Sequence, residues 1–250
     1  MTEFYLITGF LGAGKTTFLK NFIRGFAGRS LRLIINEFGN EGVDGMLLAE
    51  VSATLREISG GSIFCSCRLD RFEEALEEGL ATMPDLLIVE ASGLSDPTNI
   101  RRILEQNEQQ GRLCYRGCIC LVDAARLHKV LSTARVVKKQ LAAADLLLIN
   151  KADAATPEQL EEVRQLLTEY CPQTPSFTTT WGAVQPEWLC LINPARRPDD
   201  VVGERPDITN QRAEVFVLPE MTRYELERFI SSFAEDTSRI KGFVRLQEAG

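Results

Sequence analysis

The sequence predicts an α/β fold in which a mostly parallel sheet is covered by helices on both faces. Apolar runs suited to buried strands alternate with segments whose apolar residues have helical spacing, which is typical of strand–helix–strand units. The first strand leads into a glycine-rich loop, and a later strand leads directly into a polar motif. Because ligands of such folds bind at the carboxyl ends of the strands, we expect a site at that edge of the sheet.

Periodicity predicts each element in turn. The predicted strands are 4–8, 31–36, 86–90, 117–122, 145–149 and 175–179. The predicted helices are 15–26, 71–82, 97–108, 133–143 and 157–169. Most of the predicted strands are largely apolar runs, whereas the helices repeat apolar residues every three or four positions. The last helix also has a clear start, because Thr156 suits the capping position and Pro157 the first helical position.

The glycine-rich loop has the pattern of a phosphate-binding loop. Residues 9–17 read GFLGAGKTT, which fits G-x-x-x-x-G-K-[ST] between a predicted strand and a predicted helix. Glycines allow turns that a Cβ would block, so successive N–H groups can surround a phosphate at the positive end of the helix. Lys15 would neutralise phosphate oxygens, and the Thr16 hydroxyl would bind Mg²⁺. The predicted nucleotide contacts in this loop are Gly12, Ala13, Gly14, Lys15, Thr16 and Thr17.

A second motif predicts which base is bound. Residues 150–153 read NKAD and follow the apolar run at 146–149. The Asp153 carboxylate can accept hydrogen bonds from N1–H and the 2-amino group of guanine, and a site of this kind rejects the wrong analogue by roughly 10⁴-fold. Asn150 would hold the loop and the base edge, and the Lys151 stem would lie on the ring. The two motifs together predict GTP and GDP as ligands.

A carboxylate and a glycine end the strand predicted at 86–90. Residues 86–93 read LLIVEASG, and we expect the strand to deliver the Glu90 carboxylate to the Mg²⁺ and γ-phosphate end of the site. The Gly93 N–H would contact the γ-phosphate and sense its loss. Lys15, Glu90 and Gly93 are therefore candidate catalytic residues.

The sequence pattern changes after the last predicted strand–helix unit. Residues 194–210 are rich in proline and poor in apolar residues, so we interpret them as a linker after a nucleotide-binding domain at 1–193. Residues 211–250 have a β–α–β pattern. Because about 40 residues are few for an independent core, we expect a small α+β domain that is either incomplete here or leans on the first.

Composition limits the classes of partner and compartment. The net charge of −7 and the pI near 5.0 argue against a nucleic acid partner. No apolar stretch is long enough to span a membrane, and the chain enters its first strand without a signal-peptide pattern. The seven cysteines are an odd set that suggests reduced thiols, so we expect a cytoplasmic protein.

Further motifs resemble those of one protein family. NEFGNEGVDG at 36–45, EISGGSIFCSC at 57–67, VEASGLSDP at 89–97 and RIKGFV at 239–244, taken with the two nucleotide motifs, are similar to the CobW-like GTPases. These are relatives of the hydrogenase- and urease-maturation GTPases, and the resemblance runs from residue 4 to about residue 246. It implies a GTPase that couples its nucleotide state to delivery of Zn²⁺, Co²⁺ or a similar ion to a client metalloprotein or metal-cofactor enzyme. It leaves a homodimer open.

The same resemblance implies where the delivered metal would bind. Glu37 and the cysteine motif after the double glycine are the family's metal candidates, and Glu37 is also a candidate for orienting the attacking water. The family commonly has G-C-x-C-C, whereas this chain has Ser62 and Phe64 in place of the first two cysteines. Cys65 remains, and Cys67 follows at a spacing that places both on one side of an extended segment. Two thiolates favour Zn²⁺ or Co²⁺ over Mg²⁺.

Three alternatives stay open on the sequence. Cys65 and Cys67 can be reduced thiols in a loop without metal. The chain can be a GTP-gated activator of a partner metallo-enzyme or corrinoid enzyme that carries no metal itself, which the replaced cysteines favour. A P-loop kinase for a small molecule is the third alternative, and NKAD argues against it.

The remaining candidate metal ligands are weaker. Cys118 and Cys120 have C-x-C spacing but lie in an apolar strand, so we expect buried core thiols. Cys114 lies just before that strand, within reach of a loop. His128 is expected on a solvated helix surface.

Overall fold

The computed structural model describes residues 1–37, 53–59, 69–193 and 222–231, with the backbone alone for 37 and 53–59. The chain divides into two compact units, Met1–Val201 and Val202–Gly250. The predicted linker at 194–210 and most of the predicted domain at 211–250 lie outside the described residues.

The described strands of the first unit form one seven-stranded sheet. They are β1 (Thr2–Gly9), β2 (Leu31–Glu37), β3 (Ala53–Ser59), β4 (Leu86–Glu90), β5 (Leu113–Asp123), β6 (Leu146–Asn150) and β7 (Ser176–Thr178). Their order is β3-β2-β4-β1-β5-β6-β7, and every neighbouring pair is parallel. The predicted α/β class with a parallel sheet is confirmed.

Helices connect these strands. They are α1 (Lys15–Arg24), α2 (Leu69–Ala81), α3 (Arg101–Gln109), α4 (Leu127–Thr133), α5 (Arg135–Ala142), α6 (Pro157–Tyr170) and the short α7 (Pro186–Leu189). Short 3₁₀ turns lie at Pro97–Ile100 and Ala152–Ala154. Thr156 caps α6 in a capping box with Gln159, as the start signal predicts. Within the described ranges, no helix has the length and apolar content needed to cross a bilayer.

Two elements differ from the prediction. The helix predicted at 133–143 corresponds to α5, whereas α4 was not predicted; Ala134 is extended (φ −117°, ψ 100°) and separates the two helices. This break lets Leu131 of α4 and Val137 of α5 enter the same apolar cluster. Strand β3 was not predicted, because its sequence, ATLREIS, is not an apolar run; among the described strands it pairs with β2 alone.

Side chains alternate along the strands, so the sheet has a core on both faces. On one face, Phe18 and Phe22 of α1 pack in a cluster with Tyr5 and Ile7 of β1. The rings of Tyr5 and Phe22 meet edge to face, with centroids 5.2 Å apart. The alternate strand residues face α2 and α3 or α4 to α6 on the other side. Each such buried side chain contributes roughly 1.5–3 kcal/mol.

The strand register brings the sequence motifs to one edge. Ile7 lies opposite Glu90, and Asp123 lies opposite Asn150. The strand order reverses at β1, whose last residue is Gly9. The phosphate loop therefore starts at the topological switch point, where ligands of open α/β sheets bind.

In the second unit, the structure describes a single helix, α8 (Arg223–Ser231), and the residue before it. Thr222 begins it with a capping box, in which the Glu225 N–H donates to Thr222 Oγ1 (3.2 Å) and the Glu225 carboxylate accepts from the Thr222 N–H (2.8 Å). Leu226, Phe229 and Ile230 are the half-buried side chains, in agreement with the apolar face of the sequence pattern.

Candidate nucleotide site

The phosphate loop joins the end of β1 to the start of α1, and its backbone requires glycine. Gly9, Gly12 and Gly14 have φ angles of 136°, 78° and 95°. A Cβ on Gly9 would lie 2.4 Å from the carbonyl oxygen of Leu121, and a Cβ on Gly14 would lie 2.4 Å from Nδ2 of Asn150. Glycine is therefore needed for both conformation and space, because the loop lies directly against β5 and the end of β6.

Lys15 begins α1, and the loop holds its ammonium group. The Nζ donates to the carbonyl oxygens of Gly9 (2.9 Å) and Phe10 (3.3 Å), and the residue is buried. Thr16 and Thr17 follow as half-buried residues in the first helical turn. The loop thus presents a fixed positive charge at the end of a helix where the dipole also favours anions.

Asn150 links the phosphate loop to a second loop. Its Nδ2 donates to the carbonyl oxygen of Ala13 (2.9 Å), and its Oδ1 accepts the N–H of Gly182 (2.9 Å). The side chain is buried, so both hydrogen bonds are shielded from water. The N–H of Ala13 donates to Phe10 (3.2 Å) and closes the loop's own turn. One amide therefore connects the loop at 9–17 with the turn after β7, which the sequence motifs did not indicate.

Lys151 is held in an unusual conformation beside Asn150. Its φ is 61°, and its Nζ lies 2.8 Å from Oδ2 of Asp123 at the end of β5. Asp153 is exposed in the following 3₁₀ turn. Asp123 is a site residue that sequence reasoning missed, and its signal was a carboxylate at the carboxyl end of a buried strand.

The turn after β4 packs on the phosphate loop. A Cβ on Gly93 would lie 2.6 Å from both the backbone nitrogen and Cδ2 of Leu11. Glu90 is buried at the end of β4, with Ile7 of β1 on one side and Ile35 of β2 on the other. Gly93 therefore lies against the phosphate loop, and Glu90 ends the strand that neighbours β1, from which that loop continues.

Helix α5 holds the same turn from its other side. Gln140 is 1% exposed, and its Nε2 donates to the carbonyl oxygens of Gly93 (3.1 Å) and Ser95 (3.2 Å). One position earlier, Lys139 Nζ lies 2.7 Å from Oδ2 of Asp96. We call this set of contacts the α5 latch. The sequence did not indicate it, because these two residues follow no motif.

The end of β2 also contacts this turn. The Ser95 hydroxyl donates to Oδ1 of Asn36 (3.3 Å), and both residues are buried. The next residue, Glu37, ends β2. The side chain of Glu37 and the whole of Ser62, Phe64, Cys65 and Cys67 lie outside the described residues. In the part of the chain that the structure describes, no group of three His, Cys, Asp or Glu side chains is placed to hold a metal ion.

The other sulfur and imidazole candidates have structural surroundings. Cys118 and Cys120 are buried in β5, and burial raises the pKa of both thiols well above the usual range, so both remain protonated. Cys114 is half-buried. His128 is half-buried with Nδ1 enclosed, which corrects the prediction of a solvated helix surface.

Comparison with known proteins decides the family. The model of the CobW/HypB/UreG nucleotide-binding domain matches residues 3–178, from the start of β1 to the end of β7. The chain belongs to the CobW/HypB/UreG family. Two relatives of this CobW/HypB/UreG chain come from Escherichia coli. It is 35% identical to the zinc chaperone YeiR over 90% of its own length and 70% of that protein. It is 31% identical to the zinc chaperone YjiA over 80% of its length and 64% of that protein.

Solved structures of this family share the fold. Zinc-bound YjiA GTPase from E. coli aligns with a TM-score of 0.56 and 23% identity, covering 94% of this chain and 78% of that one. HypB from Helicobacter pylori in complex with nickel aligns with a TM-score of 0.50 and 19% identity, covering 75% and 82%. The CobW/HypB/UreG chain thus spans about two thirds of the length of the E. coli relatives, 64% of YjiA and 70% of YeiR.

Proposed function

We propose that the chain binds GTP with Mg²⁺ at the carboxyl edge of the sheet and hydrolyses it to GDP and phosphate. The observation that carries this proposal is the double contact of Asn150 with Ala13 and Gly182. It joins the loop suited to phosphates to the loops that flank Asp153. A phosphate site and a guanine-selective carboxylate on one buried connection are what a GTPase needs, and YjiA is itself named a GTPase.

Each residue of the site has a proposed role in binding the phosphates or Mg²⁺. Backbone N–H groups of the loop and Lys15 would bind the β- and γ-phosphates. The Thr16 hydroxyl and the Glu90 carboxylate are oxygen ligands of the kind that Mg²⁺ prefers; Thr16 lies in the phosphate loop, and Glu90 ends the strand beside β1. Mg²⁺, when bound, neutralises charge on the phosphate oxygens. Gly93 would report the γ-phosphate, and unassisted turnover should be on the order of 10⁻⁴ to 10⁻² s⁻¹.

Asp153 supplies the test of the base site. Asp153→Asn replaces an acceptor with an amide that can donate to the 2-carbonyl of xanthine. We expect the variant to lose at least about 100-fold in affinity for GTP and to gain affinity for xanthosine triphosphate, since unpaired polar groups are costly. Titration calorimetry measures both. Asp70→Asn, an exposed change in α2, is the matched control and should leave both affinities unchanged. Unchanged base preference in Asp153→Asn contradicts the proposed base site.

We further propose that hydrolysis is coupled to the handling of Zn²⁺ or Co²⁺ for a client metalloprotein in the cytoplasm. The relatives YjiA and YeiR are named zinc chaperones, which supports this. Glu37 and the Cys65–Cys67 pair would be the metal ligands. Glu37 follows Asn36, which is hydrogen-bonded to the Gly93 turn through Ser95. A change in nucleotide would therefore change metal affinity, and linkage makes that coupling reciprocal.

A Co²⁺ titration tests the metal proposal. Thiolate charge-transfer and d–d absorption are followed with GTP·Mg²⁺, with GDP·Mg²⁺ and without nucleotide. We expect tetrahedral bands that depend on GTP and vanish in Cys65→Ser/Cys67→Ser, while Cys190→Ser, an exposed thiol elsewhere, keeps them. Bands that survive the double change would mean that the metal binds elsewhere. Light scattering of the same samples reports whether GTP brings two copies together.

In one alternative, the chain hydrolyses GTP but binds no metal for delivery. Ser62 and Phe64 stand where the family commonly has cysteines, and this favours a GTP-gated activator of a partner metallo-enzyme or corrinoid enzyme. Such a protein would give no thiolate bands in any nucleotide state. It would bind its partner in a GTP-dependent manner without stoichiometric metal. NKAD argues against the other alternative, a P-loop kinase for a small molecule, and a nucleotide-preference assay on the wild type tests it.

A further inference from the structure

Trp181 combines exposure with an unusual backbone. The residue is 72% exposed, and its φ of 54° lies in the left-handed region, which bulky residues rarely adopt. In the described ranges, three non-glycine residues have positive φ: Met83, Lys151 and Trp181. Two of the three thus lie in the loops around NKAD. Backbone strain of this kind concentrates at binding sites, so the Trp181 side chain is a candidate for contact with a ligand.

The turn that carries Trp181 is attached to the base motif. The Ala152 N–H donates to the carbonyl oxygen of Thr179 (3.2 Å), and the Gly182 N–H donates to Asn150 (2.9 Å). Trp181 therefore lies between two residues of the turn, Thr179 and Gly182, that are bonded to the third and the first residue of NKAD. The base-reading motif and the turn form one connected piece.

Helix α1 holds the same turn from below the phosphate loop. Asn21 Nδ2 donates to the carbonyl oxygen of Trp181 (2.8 Å). A Cβ on Gly182 would lie 2.5 Å from the Cα of Phe18, so the turn touches the helix backbone. The backbone of Trp181 is thus fixed while its ring is left open. The second tryptophan differs, because Trp188 stacks on Phe177 with ring centroids 4.5 Å apart.

We propose that the Trp181 indole stacks on the guanine base of the bound nucleotide. This inference rests on the proposed GTP site, with Asp153 reading the base edge. Asp153 is exposed, and hydrogen bonds to an exposed carboxylate are weakened by water. An aromatic ring over one face of the base, with the Lys151 stem over the other, would exclude that water. Base–aromatic stacking also contributes affinity of its own.

Three substitutions separate the ring from the backbone. Trp181→Phe keeps an aromatic face and should bind GTP nearly as well as the wild type. Trp181→Ala and Trp181→Gly both remove the ring, and we expect each to lose roughly 10-fold in affinity for GTP and GDP alike, because both nucleotides carry the same base. Glycine adopts the positive φ without strain, whereas alanine keeps the strain of a Cβ, so the pair separates loss of the ring from relief of the backbone. If Trp181→Gly binds as tightly as the wild type, the ring makes no contact and the inference is wrong.

Fluorescence gives a readout that a purely structural role would not change. The chain has two tryptophans, so Trp188→Phe leaves Trp181 as the only indole. We expect GTP and GDP to quench its emission by stacking, with a midpoint equal to the calorimetric dissociation constant. Saturating nucleotide without any change in emission would contradict the inference. Thermal unfolding of each variant checks that the fold is retained.

The Asp153→Asn variant distinguishes the two proposals. If it switches preference to xanthine and Trp181→Gly leaves affinity intact, the base site holds and the stacking inference alone is wrong. If Asp153→Asn switches preference, the double variant Asp153→Asn/Trp181→Gly is compared with it. A further loss of roughly 10-fold in affinity for xanthosine triphosphate supports stacking independently of the contacts to the base edge. If Asp153→Asn does not switch preference, the proposed base site is wrong, and the stacking inference is wrong with it.

Discussion

Gly93 and Gly182 are glycines because a neighbouring backbone leaves no room for a Cβ. At Gly93 the obstructing atoms belong to Leu11 of the phosphate loop, and at Gly182 they belong to Phe18 of α1. Gly93 thus sets the distance between its turn and the phosphate loop, and Gly182 sets the distance between its turn and the helix that follows that loop. A single methyl group at either position changes the shape of the site without removing a functional group.

Gly93→Ala tests the distance between the turn and the phosphate loop. The added Cβ would lie 2.6 Å from the Leu11 nitrogen, so the two segments must separate. We expect a loss of about 1–3 kcal/mol in the free energy of unfolding, the usual cost of overpacking. We also expect GTP affinity to fall more than GDP affinity, since the turn would contact the γ-phosphate. Urea unfolding and calorimetry measure the two effects.

Gly25→Ala is the matched control for that substitution. Gly25 has an ordinary φ of −66°, and a Cβ there would meet the Phe22 carbonyl oxygen at 3.3 Å, which a small shift accommodates. It should bind both nucleotides as the wild type does. An equal loss of GTP and GDP affinity in Gly93→Ala would contradict the proposed sensing role of the turn.

Sequence reasoning reached the residues whose pattern is local. The loop at 9–17 and NKAD are short motifs with a strand on one side, so Lys15 and Asp153 could be named from the sequence. Gln140 and Gly182 could not, because each gains its role from a contact with a residue distant in the chain. Asp123 was missed although it ends a buried strand, because that position alone does not indicate its ion pair with Lys151.

At the scale of elements, helix α5 holds the turn after β4 through side-chain contacts that no sequence motif indicates. Gln140 satisfies two buried carbonyl groups of that turn, and Lys139 pairs with Asp96 at its end. The turn therefore cannot shift toward a γ-phosphate without changing these contacts. A change of nucleotide that moved the turn would therefore reach helix α5 through the contacts of the α5 latch.

Gln140→Ala tests the α5 latch. Its removal leaves the carbonyl oxygens of Gly93 and Ser95 without their amide donor, which should cost about 1–3 kcal/mol in the free energy of unfolding. We expect the ratio of GTP to GDP affinity to change while the preference for guanine over adenine is kept. Gln165→Ala is the control, because Gln165 is exposed on α6. Unchanged stability in Gln140→Ala would show that the latch contributes nothing.

Strands and helices could be identified from the sequence where they contain long apolar runs or a regular apolar spacing, but β3 and the break between α4 and α5 could not. Residues 4–8 of β1, together with β4 and β6, are buried in the sheet interior and are largely apolar runs. β3 lies at the described edge, and the α4–α5 break occurs at an ordinary alanine. Both depend on what packs beside them, so local propensity could not identify them.

On the scale of the whole sheet, the site occupies the carboxyl edge, and an ion-pair group stabilises the amino edge. Glu3 near the start of β1 accepts from Arg29 (2.6 Å) and from Arg116 (2.5 Å). Burial alone would raise the pKa of Glu3, but the hydrogen bonds from the two guanidinium groups outweigh it and lower the pKa. These pairs join β1 to β5 and to the segment before β2, far from the proposed chemistry.

Glu3→Gln tests this group through the pH dependence of stability. The folded pKa lies below the unfolded value of about 4.3, so the stabilisation is present above that pH and is lost as the pH falls through the folded pKa. We expect the variant to be less stable than the wild type at pH 7 by about 1 kcal/mol, a value limited by solvent screening. The two should converge in acid. Urea unfolding between pH 7 and pH 3 measures the difference.

Glu161→Gln is the control for that series. Its partner Arg164 lies 3.7 Å away, and both side chains are exposed, so no measurable change is expected. A Glu3→Gln difference that stayed constant from pH 7 to pH 3 would mean that the lost stability is not electrostatic.

The contacts of the Asn150 amide also determine when, during synthesis of the chain, the nucleotide site can be completed. Asn150 and its partner Ala13 are 137 positions apart, so the phosphate loop leaves the ribosome long before the residue that supports it. At about 5–20 residues per second, that interval is roughly 7–27 s. Gly182, the third member, follows later still. A nascent chain therefore exposes a nucleotide motif early but should hold no nucleotide tightly until β6 and the turn after β7 have been made.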